Sequence, residues 1–230
     1  LNASGRSPAG WNQERFAKYD EMPFRGWESV TVPGAVSAWV ALSERFGKLP
    51  FADLFGPAIG YASEGFIVTP VIAELWRRAA EDLGNHPGFA ETFLPNGTAP
   101  KAGERFVNKP LAKTLQLIAQ TKGEAFYKGT LADAICDFAL EHGAALSRDD
   151  MAAHKVDWCG TLSKKFDDLE LHEIPPNGQG IAALMALGIL SHTRIRDLES
   201  DDPLAIHLQV EAIKLALVDA ENYVADDKYM

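Results

Sequence analysis

Apolar positions recur at helical spacing through most of residues 31–150. Val36, Trp39, Val40, Ser43 and Phe46 predict a helix from Ala35 to Phe46, behind a Val32-Pro33-Gly34-Ala35 turn. Gly47 stops it, and Pro50 follows, as expected beyond a helix end. Leu54, Phe55, Ala58, Ile59 and Ala62 predict a second helix from Phe51 to Glu64, ended by Gly65. Thr69-Pro70 opens a third that runs to about Leu83. Residues 84–103 carry Pro87, Pro95, Gly97 and Pro100 and read as a loop. Asn108-Lys109-Pro110 starts a fourth helix over 111–120, with Leu111, Leu115 and Ile118 as its stripe. A short helical turn over 124–129 and a helix over 131–142, closed by Gly143, follow. Ser147-Arg148-Asp149-Asp150 reads as an N-cap with acidic residues in the first turn.

The pattern then changes. Residues 156–174 form the one long strand-like region, and Leu171 and Glu173 alternate as in a half-buried strand. Pro175 and Pro176 end it because neither can donate to a ladder. Asn177 and Gly178 tolerate positive φ and supply a turn, and Gly180 permits a close backbone approach. These features predict a strand over 168–174 and a buried helix over 179–191. Ile181, Leu184, Met185, Gly188 and Ile189 form its wide apolar face, with Gly188 admitting a neighbouring helix. Pro203 opens a last helix to about Val224. Residues 1–30 are irregular, yet Trp11, Phe16, Met22, Phe24 and Trp27 are too apolar for a disordered tail and suit an extended, packed arm. The whole reads as a helix-rich α+β protein. Residues 1–230 form one domain made of the arm, a helical part (31–150), a strand-turn-helix unit (151–192) and a final helix (203–224).

Composition narrows the function classes. The 230 residues are 47% hydrophobic and 23% charged, ordinary for a globular core. A net charge of -10 argues against nucleic acid as the main partner, because phosphate binding needs clustered Lys and Arg. No run of about 18 apolar residues predicts a membrane span, and the chain reads as soluble, with the periplasm, the exterior and the cytoplasm all left open. Cys136 and Cys159 form no CxxC and read as two buried thiols. The opening residues read like the inside of a longer chain, so a fragment or a processed product is expected.

Chemical motifs are sparse. GxSxG, HExxH, P-loop and EF-hand patterns are missing. Gly178-Gln179-Gly180 lacks the third glycine of a dinucleotide fingerprint. Asn96-Gly97-Thr98 matches a glycosylation sequon but reads as a plain turn. His86, His142, His154, His172, His192 and His207 are scattered, and each reads as a surface or satisfied core residue. Asp201, Asp202, Asp219, Glu221, Asp226 and Asp227 read as solvated ends of the last helix, so neither a metal nor a cofactor is expected. No catalytic residue is assigned within the chain.

Several motifs, in order, resemble the large subunit of the γ-glutamyltranspeptidase family. They are Val32-Pro33-Gly34, Gly47-Lys48-Leu49-Pro50-Phe51 with Asp53-Leu54, Pro57-Ala58-Ile59 and Glu64-Gly65-Phe66. Phe126-Tyr127-Lys128-Gly129, Leu146-Ser147 with Asp149-Asp150 and Ala153, and Ile174 to Gly180 complete the series. Each is weak alone; their order along nearly the whole chain is specific. The resemblance implies part of an N-terminal-nucleophile hydrolase, an αββα sandwich incomplete in this chain. It implies a self-cleaving precursor whose small subunit bears an N-terminal Thr that attacks γ-glutamyl amides such as glutathione, its own amine serving as base. No Thr-Thr pair or cleavage-site signature occurs here, so the nucleophile is expected outside the chain and a small subunit is the expected partner, with a homo-oligomer left open. Where the family often has Ser-Ser-Gly-Gly, this chain has Asn177-Gly178-Gln179-Gly180, resembling a divergent branch that includes cephalosporin acylases.

One binding residue follows from the resemblance. The family holds the glutamate α-carboxylate with an Arg shortly before an Ala-Pro pair. Arg6 stands before Ser7-Pro8-Ala9, closer to the proline than is typical. Its planar fork suits a carboxylate; the plain alternative is a solvated Arg in a frayed terminus. Two rival readings remain: a related cephalosporin or glutaryl acylase, and a stand-alone non-catalytic helical binding module.

Overall fold

A computed structural model describes residues 1–225. Backbone contacts divide the chain into two compact units: Gly5–Lys155, and Leu1–Ser4 together with the chain from Val156 onward.

In the first unit the N-terminal stretch is anchored rather than frayed. A short helix α1 (Gln13–Phe16) is capped by the Asn12 side chain, which accepts from the Arg15 N–H. Trp11 and Phe16 meet edge to face, and Arg15 bonds the Gly143 carbonyl at 2.6 Å. Met22 and Phe24 do not join this packing; Phe24 is 90% exposed. The helix α2 (Ala35–Phe46) has the bounds its spacing predicts. The predicted second helix divides into a 3-10 turn, Phe51–Phe55, and α3 (Gly56–Glu64), with Pro57 in the first turn. Gly65, at φ 88°, ends it and turns the chain into strand β1 (Phe66–Ile67).

Helix α4 (Pro70–Leu83) carries a network of exposed ion pairs in which Arg77 and Arg78 hold the Glu74 carboxyl down to about 2. The predicted loop over 84–103 contains a short helix α5 (Phe89–Phe93) and a tight turn at Pro95–Gly97, where Asn96 has φ 59°. Strand β2 (Arg105–Phe106) then pairs antiparallel with β1. Phe106 is buried under Trp76, whose ring lies 4.6 Å away.

Helices α6 (Lys109–Thr121), α7 (Glu124–Lys128), α8 (Thr130–Glu141) and α9 (Arg148–Ala153) complete this unit. Two apolar clusters hold it together. One joins Val32, Ala132, Cys136, Ala139, Leu146 and Met151; the other joins Val36, Phe51, Phe55, Ile118 and Ala119. Phe126 and Tyr127 of α7 pack on both, so this short helix ties the clusters together. Cys136 is buried, which raises its thiol pKa; Cys159, expected to be buried too, is only partly covered.

The second unit differs most from the sequence expectation. The strand-like region is a hairpin, β3 (Leu162–Phe166) and β4 (Leu169–Glu173), paired from Leu162 with Glu173 to Phe166 with Leu169. Its two-residue turn needs positive φ, supplied by Asp167 at 58°. Asn177 and Gly178, by contrast, do not adopt positive φ. After the prolines, helix α10 (Gly180–Leu190) starts at once. Gly180 packs against the Glu173 side chain, which would have to shift to admit a Cβ there. Of the predicted face, Leu184 is buried and Met185 and Ile189 pack against the core, while the other buried residues of α10 are Ala182, Ala186 and Leu190 rather than Ile181 and Gly188. The helix is apolar on all sides, so its sequence alone does not pick the face. Its alanines meet Ala212 and Ala216 of α11 (Pro203–Tyr223), and small residues let the two helices close together. Gly188 faces the Lys164 side chain of β3 instead of a helix. Asp202 caps α11 through the Leu204 N–H. Asp226 and Asp227 lie outside the described residues.

Candidate active-site segment

Several of the scattered motifs come together around Arg6. The Arg6 carbonyl accepts the Val32 N–H at 3.0 Å. Gly5 lies so close that a Cβ there would overlap the Val32 carbonyl. Pro8 is buried, its carbonyl accepts the Trp11 N–H, and the Ala9 N–H reaches the Asp150 carboxylate at 2.8 Å. The backbone of the 6–9 loop is thus held at both ends, while the Arg6 side chain is exposed.

The support beneath that loop is itself fixed. Val32 is 3% exposed and belongs to the Met151 cluster. The Tyr127 hydroxyl donates to the Pro33 carbonyl at 2.7 Å and accepts the Ser37 N–H at 3.1 Å. The Ser37 hydroxyl lies 2.6 Å from the Gly34 carbonyl and 2.8 Å from His154 Nε2, and the His154 ring stacks on Tyr127. A carbonyl can only accept, so the single hydroxyl proton of Ser37 goes to Gly34, and His154 Nε2 must be the protonated nitrogen that donates to Ser37. This serine–histidine contact therefore runs opposite to a nucleophile and its base. It works as a latch on the Val32-Pro33-Gly34 turn.

Burial lowers the His154 pKa below its ordinary value of 6.5. The unfolded chain then binds the proton more readily, so stability falls as pH falls. The contribution is complete above about pH 6.5 and is lost on acidification toward the folded value. His154→Gln, which keeps an N–H donor but does not titrate there, is expected to reduce the drop in Tm between pH 7 and 5. Parallel melts of both proteins check this, and identical pH slopes contradict it.

The other candidates do not converge. His172 bonds Thr161 and faces Glu170 on the exposed side of the hairpin. His142 Nδ1 contacts its own helix at the Phe138 carbonyl. Pro33, His86 and His142 border an open, mostly apolar cavity of about 610 Å³ that also touches Trp27 and Phe138; Arg6 is not in its wall. Among the described residues no three His, Cys, Asp or Glu side chains come together as a metal would need, and no helix is long and apolar enough to cross a membrane.

The gamma-glutamyltranspeptidase family model matches residues 1–230. This chain belongs to the γ-glutamyltranspeptidase family. A glutathione hydrolase-like YwrD proenzyme of Bacillus subtilis is 34% identical over 229 residues, 99% of this chain and 44% of the relative. An oxamate amidohydrolase proenzyme of Klebsiella pneumoniae is 33% identical, covering 100% of this chain and 44% of that protein. The solved cephalosporin acylase from Bacillus halodurans superposes with a TM-score of 0.94 at 39% identity, over 99% of this chain and 44% of that one. The chain therefore spans rather less than half the length of these relatives, and its helix-rich α+β fold is that of the family's enzymes. The family's ordered motifs have a structural meaning here. Val32-Pro33-Gly34, Tyr127 and Asp150 all bear on the loop that carries Arg6.

Proposed function

We propose that this chain is part of the large subunit of a γ-glutamyltranspeptidase-like amidohydrolase or transferase acting on γ-glutamyl amides such as glutathione. The observation that carries the reading is a family match along the whole chain, against relatives named proenzymes of which it spans under half. The catalytic Thr belongs to a small subunit beyond residues 1–230. Its hydroxyl attacks the amide carbonyl while its freed amine takes the proton. This chain supplies scaffold and one wall of the substrate cleft. Arg6 binds the α-carboxylate of the γ-glutamyl group. The tethered loop supports that role, because a guanidinium gives directional binding only when its backbone is fixed.

The test uses the complete enzyme with a γ-glutamyl anilide and the matching 4-aminobutyryl anilide, which lacks only the α-carboxylate. Arg6→Lys is expected to raise KM for the γ-glutamyl substrate about tenfold, the cost of losing a bidentate bond, ~1.4 kcal/mol. An unchanged KM removes Arg6 from the site. A second reading, a cephalosporin or glutaryl acylase, is favoured by the 39% identity to the Bacillus halodurans acylase. Preference of the unaltered enzyme for glutaryl over γ-glutamyl amides selects it.

A further inference from the structure

We propose that Asp150 is a positioning residue for Arg6, holding the 6–9 loop through the Ala9 amide; this rests on the reading of Arg6 as the carboxylate-binding residue. Asp150 stands at the third position of α9 and completes a capping box with Ser147. A capping box asks one thing of the acid, a bond back to the N-cap backbone. Here Oδ2 alone does this, accepting the Ser147 N–H at 2.9 Å and the Ser147 hydroxyl at 2.7 Å. Oδ1 is left over and reaches Ala9, 141 residues away in sequence, at 2.8 Å.

The two oxygens have separate tasks. One stabilises the start of α9; the other fixes the end of a loop whose beginning is fixed by Val32. Arg148, two residues earlier, does not compete for Asp150, because it is bound to Asp133 and Asp137 at 2.6 Å each. Burial works to raise the Asp150 pKa, but the bonds from Ala9 and Ser147 outweigh it and keep the carboxyl below the ordinary aspartate range. The carboxylate is therefore ionised at neutral pH, and its bond to Ala9 is charge-assisted. Without that bond the 6–9 loop keeps its Val32 anchor and loses its distal one. The Arg6 guanidinium then samples orientations that do not meet a carboxylate squarely, which weakens binding and leaves the reaction at the amide unaffected.

Glutamate serves a capping box as well as aspartate or better, but its extra methylene moves the second oxygen away from Ala9. Asp150→Glu therefore separates the tether from the cap, and Ser147→Ala, which weakens the cap, is its counterpart. In the complete enzyme Asp150→Glu is expected to raise KM for a γ-glutamyl anilide about tenfold, leave kcat within about twofold, and leave KM for a 4-aminobutyryl anilide, which has no α-carboxylate, unchanged. Ser147→Ala is expected to lower Tm without raising KM. Hydrogen exchange at the Ala9 amide should speed up in Asp150→Glu and reports the tether without any substrate. Unchanged Ala9 exchange overturns the tether. Faster exchange with unchanged KM, beside an Arg6→Lys enzyme whose KM has risen, leaves Asp150 as a cap only and overturns the positioning role. A fall in kcat at constant KM overturns it too. If Arg6→Lys itself leaves KM unchanged, the reading of Arg6 has failed, and the Ala9 exchange rate still reports on the tether separately.

Discussion

Met151→Ala is expected to lower the unfolding free energy by about 2–5 kcal/mol, in the range of large-to-small core substitutions. Met151 is 0% exposed and sits in the cluster with Val32, Ala132, Cys136, Ala139 and Leu146. Most of those neighbours are small, and Ala132, Cys136 and Ala139 are fixed on the one helix α8 and cannot close inward independently, so the vacated volume remains a cavity. The loss also reaches the candidate site. Met151 follows Asp150 on α9, and Val32 carries the N–H that holds Arg6. Urea unfolding of the variant measures the effect. A loss under about 1 kcal/mol means that the cluster repacks and is not the rigid base described above. Met151→Leu, close in volume, should recover most of the stability.

The helices of the first unit are legible in sequence because their signals are local. Ala35–Phe46 follows from its spacing and from Gly47, and α9 follows from Ser147 and the acids after it. The hairpin is not legible, because Val156 to Ile174 reads as one run and its turn uses Asp167 in the left-handed region rather than Asn-Gly. The two-residue strands β1 and β2 are too short to leave a period, and α10, apolar on every side, hides its buried face. At the candidate site, the family resemblance points to Arg6 and the local pattern to the Ser147 cap, each separately. That Asp150 also reaches Ala9 is a tertiary fact with no local trace. The same holds for His154, which reads as an ordinary histidine until Ser37 and Tyr127 are seen around it.

Gly5→Ala is expected to act on Arg6 almost as strongly as removing the Arg6 side chain. A Cβ at position 5 would overlap the Val32 carbonyl oxygen, lie 2.5 Å from its carbon and 3.0 Å from Cα. All three are backbone atoms, so no side chain can turn aside. Val32 cannot retreat either, being buried in the Met151 cluster, with the Pro33 carbonyl after it bonded to Tyr127. The segment before Arg6 must therefore lift, and the bond from the Val32 N–H to the Arg6 carbonyl is broken. The fold absorbs this at the edge, since Pro8 and Ala9 keep their own contacts. The expected Tm drop is smaller than that of Met151→Ala. Substrate binding is expected to suffer more: a charge-assisted hydrogen bond contributes about 1.5–3 kcal/mol, so KM for α-carboxylate substrates should rise roughly ten- to hundredfold. Exchange at the Val32 amide gives a readout independent of activity and should speed up markedly. A protected Val32 amide together with an unchanged KM in Gly5→Ala would refute both the close approach and its role in holding Arg6.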